Sequence, residues 1–121
     1  FRSHHKDYKD GEQLRDFIYV KDIIDVLVFI KNNHIDNGIY NLGTGKARTF
    51  IDLAHVIFNS LGVSPKVNFI DTPKEIRDRY QYFTQAKMDK LKLSGYNKAF
   101  ATIEEGVNEY VMDYLLETKY Y

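Results

Sequence analysis

Glu12-Gln13-Leu14-Arg15-Asp16-Phe17-Ile18-Tyr19-Val20-Lys21-Asp22 is the stretch around which the other elements arrange themselves. A charged, turn-prone lead-in, Asp10-Gly11-Glu12, passes into one arginine, a β-prone run over residues 17–20 and then a helix. An arginine pinned where a loop meets rigid structure is well placed to hold an anion, because its planar guanidinium presents a fork of donors to phosphate oxygens. The alternative is an ordinary surface ion pair from Arg15 to Asp16 or Asp22, which is common and contributes little. These residues alone leave both readings open.

Working outward, Ile23, Ile24, Leu27, Val28 and Ile30 fall on one face of a helix expected from Lys21 to about Asn33. Asp36-Asn37-Gly38 marks the turn after it. Residues 38–42 read as a short strand and Gly43-Thr44-Gly45 as the tight turn leaving it. Thr49 with Asp52 forms a variant capping box, and Phe50, Leu53, Ala54, Ile57, Phe58 and Leu61 trace an amphipathic helix closed by Gly62. A strand is expected over 66–71, a charged connection over 74–80, and a helix over about 85–93 stopped by Gly95. Thr102 and Glu105 then open the clearest helix, with Ile103, Val107, Tyr110, Val111, Tyr114 and Leu115 in one apolar stripe. This alternation is α/β, with too few strands for a complete doubly wound sheet. The chain therefore reads as one incomplete domain over residues 1–121, whose apolar stripes continue a core begun upstream of Phe1.

Composition narrows the function classes. The 121 residues suffice for one modest core, and the 44% hydrophobic and 28% charged content is that of an ordinary globular chain. Lysine plus arginine and aspartate plus glutamate each number 17, so no net charge points to nucleic acid or an anionic membrane. Apolar runs are too short for a transmembrane helix, and no signal-peptide pattern opens the chain. The lack of cysteine excludes disulfides and thiolate metal sites and fits a cytoplasmic location. His4-His5 is an insufficient metal set, and residues 1–14 read as a polar loop.

No catalytic set is evident. Gly43-Thr44-Gly45-Lys46-Ala47-Arg48 sits between a strand and a helix like a dinucleotide loop, but Arg48 replaces the third glycine, which favours a plain tight turn. A Tyr-x-x-x-Lys acid/base pair is also missing: Tyr8, Tyr19, Tyr40, Tyr80, Tyr82, Tyr96, Tyr110 and Tyr114 lack the lysine, and Tyr120 and Tyr121 stand too near the end. Chemistry on this chain alone is not expected. Arg77-Asp78-Arg79-Tyr80-Gln81-Tyr82 is the second informative cluster, since arginines beside phenols suit an anionic, ring-bearing ligand; a solvated charged loop fits equally well.

Together, residues 15–22 and Tyr40-Asn41-Leu42-Gly43-Thr44-Gly45 resemble the second half of extended short-chain dehydrogenase/reductases, the nucleotide-sugar epimerases and dehydratases. Where many of those carry Arg-Pro-Gly-Asp, this chain has Arg77-Asp78-Arg79-Tyr80-Gln81-Tyr82-Phe83-Thr84-Gln85-Ala86. With Leu91, Gly95-Tyr96 and residues 104–110, that version resembles the branch acting on ADP-activated heptose. The resemblance implies the C-terminal substrate-binding portion of such an enzyme, with the N-terminal Rossmann half absent. It further implies an ADP-sugar substrate of lipopolysaccharide core synthesis, NADP bound by the absent half, and a homo-oligomer in the complete enzyme. By position it implies substrate contacts from Arg15, Tyr80 and the short loop Phe1-Arg2-Ser3-His4. It implies no catalytic and no cofactor-binding residue in this chain, so Gly43 and Gly45 are not cofactor ligands.

Overall fold

A computed structural model describes residues 1–117; Tyr120 and Tyr121 lie outside the described residues. The elements in order are β1 (Leu14–Arg15), α1 (Val20–Asn32), β2 (Arg48–Thr49), α2 (Phe50–Ser60), α3 (Lys74–Arg77), α4 (Asp89–Leu93) and α5 (Ile103–Tyr110), which runs into a π-helical turn, Val111–Leu115. β1 and β2 pair antiparallel, Leu14 opposite Thr49 and Arg15 opposite Arg48, while Leu14 also bridges in parallel to Phe83.

Both capping boxes form. The Thr49 hydroxyl accepts the Asp52 amide at 3.0 Å and the Asp52 carboxylate accepts the Thr49 amide at 3.2 Å, so two orphan donors at the start of α2 are satisfied. Thr102 and Glu105 do the same for α5 at 3.1 and 2.8 Å. Gly62, in the left-handed region at φ 66°, lets the chain leave α2. One core cluster joins Val26 of α1 to Met88, Leu91 and Tyr96, with Phe29, Tyr40, Leu42 and Phe100 packed around it. α2 lies against α5, where Val56 and Val111 are buried.

Residues 17–20, expected as a short strand or an extended segment, carry no strand pairing; Tyr19 is extended, Val20 begins α1, and the sheet pairing falls earlier, at Leu14–Arg15. Four expectations about elements are corrected. Residues 38–42 and 66–71 form no strand, because a strand needs a neighbour and the described residues offer them no ladder; a single backbone bond, Arg2 N to Ile70 O at 2.8 Å, touches the second. The connection after Pro73 contains the one-turn helix α3. The helix expected from about residue 85 starts only at Asp89, since the Ala86 amide donates to the Asp16 carboxylate at 3.0 Å instead of joining a helix. The polar loop at residues 1–14 is also more tied down than its composition suggests. Gln13 and Thr72 are fully buried, the Gln13 side-chain amide donates to Phe1 O at 3.2 Å, and the Thr72 hydroxyl donates to Arg2 O at 3.0 Å.

α1 is two-sided, and only one side is packed. Val26 faces the core, whereas Val20, Ile24, Leu27 and Val28 are exposed and Ile39, in the following segment, is 90% exposed. A contiguous apolar face of this kind marks a contact surface. The 121-residue chain in solution is therefore expected to enhance the fluorescence of an apolar-surface dye strongly, and Leu27→Lys with Val28→Lys should abolish most of that signal while retaining helical circular dichroism.

Candidate functional site

Arg15 emerges from β1 with its guanidinium held in place by backbone. Nη1 donates to Leu14 O at 2.7 Å and Nη2 donates to Gln81 O. Two rings stand near it, with Cζ 5.7 Å from the Phe50 centroid and 5.4 Å from the Tyr80 centroid. Neither Asp16 nor Asp22 pairs with it, so the ion-pair alternative does not apply. Of the five guanidinium N–H groups, two are engaged by these carbonyls, leaving donors for an incoming anion.

Asp16 serves the scaffold. Its Oδ1 accepts from the Thr44 amide at 2.7 Å and the Thr44 hydroxyl at 2.5 Å, and its Oδ2 accepts from the Gly45 amide at 2.9 Å and the Ala86 amide at 3.0 Å. Burial pushes its pKa up, but the Thr44 hydroxyl and the three amides outweigh this and hold the carboxyl below its usual range. Asp22 is likewise structural, buried and accepting the Ala101 amide at 2.9 Å.

The resemblance-derived residues are partly brought together. Phe1 meets Tyr80 edge-on at 6.0 Å, so Phe1, Tyr80 and Arg15 form one group. Arg2 turns toward Asp71 at 3.8 Å and its backbone is fixed by Ile70 and Thr72. The Ser3 amide donates to Asp10 Oδ1 at 2.7 Å, and the His4 amide donates to the Tyr82 hydroxyl at 3.0 Å. In the second cluster Arg77 supports the fold, donating from Nη2 to Thr72 O at 2.9 Å, while Tyr80 and Tyr82 pack edge-on at 5.3 Å. Tyr82 lay in the second cluster read from the sequence, whereas Phe50 was read only as part of the α2 stripe. Phe50 sits beside β2, whose pairing with β1 sets it against Arg15, and no local signal reports that pairing. No cluster of metal-ligating side chains occurs among the described residues, and no described helix is long and apolar enough to cross a membrane.

Several carboxylates share the downward shift of Asp16. Burial raises Asp52, but the Arg48 guanidinium and the Thr49 amide and hydroxyl lower it further. Arg48 also lowers Glu104, the Thr102 amide lowers Glu105, and Lys21 lowers Glu109. A carboxylate whose folded pKa is depressed stabilises the fold above its unfolded pKa, and that contribution is lost as pH falls through the folded value. The urea midpoint should therefore be flat from neutral pH down to about 5 and decline below about pH 4, where free carboxylates titrate. Asp16→Asn is expected to shallow that decline.

Residues 5–43 match the model of the NAD dependent epimerase/dehydratase family. Over 127 aligned positions covering 100% of this chain, it is 45% identical to the ADP-L-glycero-D-manno-heptose-6-epimerase of Fusobacterium nucleatum subsp. nucleatum, of which it covers 38%. It is 49% identical to the enzyme of the same name from Nitratidesulfovibrio vulgaris strain DP4, over 95% of this chain and 36% of that one. The chain is similar to part of an epimerase of this kind. It spans little more than a third of the length of the curated relatives it matches. Among solved structures, the UDP-N-acetylglucosamine 4-epimerase from Methanobrevibacter ruminantium M1, in complex with UDP-N-acetylmuramic acid, superposes with a TM-score of 0.77 at 27% identity, covering 93% of this chain and 34% of that one. The fold is accordingly the α/β fold of extended short-chain dehydrogenase/reductases, of which this chain is a part. The family's cofactor is a nicotinamide dinucleotide, and the Gly43-Thr44-Gly45 turn does not fit it. The turn's amides at Thr44 and Gly45 are already taken by Asp16, so no phosphate cradle remains there.

Proposed function

We propose that residues 1–121 are the substrate-binding region of a nucleotide-sugar epimerase, in which Arg15 and Tyr80 grip an ADP-sugar and Phe1-Arg2-Ser3-His4 borders the same site. The observation that carries this reading is the Arg15 guanidinium, fixed by two carbonyls near Phe50 and Tyr80 with donors to spare. A pre-set guanidinium suits a pyrophosphate, and an aromatic face beside it suits a ring or its hydroxyls. The complete protein would convert ADP-D-glycero-D-manno-heptose to its L-glycero epimer for lipopolysaccharide core synthesis, with NADP and the acid/base groups carried by residues outside this chain. The names of relatives at 45–49% identity support the heptose reading.

A second reading, a UDP-sugar epimerase, is favoured by the likeness to the 4-epimerase structure. Turnover by the full-length protein separates the two. ADP-heptose is expected to be epimerised at C6 with NADP bound, and UDP-hexoses to be poor substrates; the opposite ranking would replace the first reading with the second. Absence of turnover with tight ADP binding would instead indicate a non-catalytic nucleotide-binding module.

A further inference from the structure

The segment from Phe1 to Gly11 closes on itself. The Gly11 amide donates to Phe1 O at 3.3 Å, the Ser3 amide donates to Asp10 Oδ1 at 2.7 Å, and the Asp7 amide donates to His5 Nδ1 at 3.2 Å. Two of its side chains, the exposed His5 and the half-buried Tyr8, converge on one ring from a distant part of the chain. Tyr82 lies 4.9 Å from the His5 ring and 5.4 Å from the Tyr8 ring, which are themselves 5.2 Å apart, and its hydroxyl accepts the His4 amide. Tyr82 also meets Tyr80 edge-on at 5.3 Å, and Tyr80 faces Arg15. An unbroken line of ring contacts thus runs from the closed loop, through Tyr82, to the Arg15–Tyr80 pair.

We propose that Tyr82, clasped by His5 and Tyr8, is a positioning residue that latches the 3–10 loop and sets both Tyr80 and the Phe1–His4 edge for binding of the sugar nucleotide. This rests on the reading that Arg15 and Tyr80 hold that ligand. Three features favour a latch over incidental surface packing. The three rings come from two segments more than seventy residues apart, joined by a hydrogen bond from the His4 main-chain amide to the Tyr82 side-chain hydroxyl, 78 positions away. The Tyr82 backbone is fixed independently, its carbonyl accepting the Leu14 amide at 2.8 Å, so the ring is an anchored post onto which the loop fastens. The hydroxyl, moreover, is bonded to the amide of His4, a residue at the border of the proposed site.

The test uses the full-length protein and steady-state turnover of ADP-heptose with NADP. Edge and tilted ring pairs each contribute modestly, so loss of three of them in Tyr82→Leu should raise KM for the sugar nucleotide about tenfold. Tyr82→Phe, which keeps the rings and removes only the acceptor for the His4 amide, should raise it about threefold. In both, kcat and the KM for NADP stay at the wild-type level. His5→Ala with Tyr8→Ala should reproduce the Tyr82→Leu effect and add little to it in combination, because all remove the same latch. The His5/Tyr8 pair and Tyr82→Phe carry the readout if Tyr82→Leu fails to fold. Wild-type KM in the latch variants, with binding lost in Arg15→Ala, would overturn the latch and leave the parent reading standing. Unchanged binding in Arg15→Ala as well would overturn the parent reading. Parallel loss of kcat, NADP affinity and melting temperature would overturn the latch in favour of a general structural role for Tyr82.

Discussion

In the full-length protein, Arg15→Ala is expected to weaken sugar-nucleotide binding by well over tenfold, with NADP affinity unchanged. Removing one partner of a hydrogen-bonded, desolvated charge pair typically costs about 2–5 kcal/mol, much of it from leaving the other charge unpaired. At about 1.4 kcal/mol per decade, the lower limit already exceeds tenfold. The guanidinium is also pre-organised, so little side-chain freedom is lost when the anion arrives: its carbonyl bonds to Leu14 and Gln81 and its rings at Phe50 and Tyr80 exist without ligand. Arg15→Lys should recover only part of the loss, because an ammonium cannot reach both carbonyls and still present a planar fork. Calorimetric titration with ADP-heptose measures both variants, and a thermal melt controls for the carbonyl bonds that Arg15→Ala also removes. Wild-type affinity in a folded Arg15→Ala would exclude the arginine from the grip.

Legibility differed between features according to how local their physics is. The Thr49/Asp52 and Thr102/Glu105 boxes need only four consecutive residues, and both formed as expected. The α2 and α5 stripes and the exit at Gly62 are similarly local, and so was the existence of α1, apart from one residue at its start. Extended segments are different. Residues 38–42 carry strand-like composition, but a ladder is a property of two segments, and none is offered to them by the described residues. The late start of α4 has a tertiary cause, since Ala86 is drawn to Asp16, 70 residues away in sequence. In the site, Arg15 and Tyr80 were each marked by local chemistry, and the family resemblance joined them. Their physical junction, the bond from Arg15 to Gln81 O with |i−j| of 66, could not be read locally. Asp16 was weighed only as a partner for its neighbour Arg15; its true partners are the amides of a turn and of a third segment. A carboxylate next to a Gly-Thr-Gly turn in space carries no spacing signature.

Those partners make Asp16 the residue whose loss should cost the fold most. Three segments meet at one carboxylate, with each oxygen accepting two bonds. Asp16→Ala strands the amides of Thr44, Gly45 and Ala86 together. An orphaned buried donor costs about 1–3 kcal/mol, and water can reach part of this half-buried site, so a total near 3 kcal/mol is expected from urea unfolding. Gly43→Ala probes the same junction from the other side. A Cβ there would lie 2.5 Å from Asp16 Oδ2 and 2.6 Å from the Ala86 Cβ, far inside contact distance, and neither neighbour can withdraw without breaking the clamp. Its destabilisation should match that of Asp16→Ala, and the double variant should cost little more than either alone, because both abolish one junction. Full additivity would show instead that Gly43 and Asp16 stabilise the chain separately. Since Arg15 stands immediately before the clamped Asp16, both variants should also lower sugar-nucleotide affinity. That second loss separates a clamp that aims the arginine from one that only holds the fold: a destabilised Gly43→Ala binding ligand at wild-type strength below its melting transition would confine the role of the junction to stability.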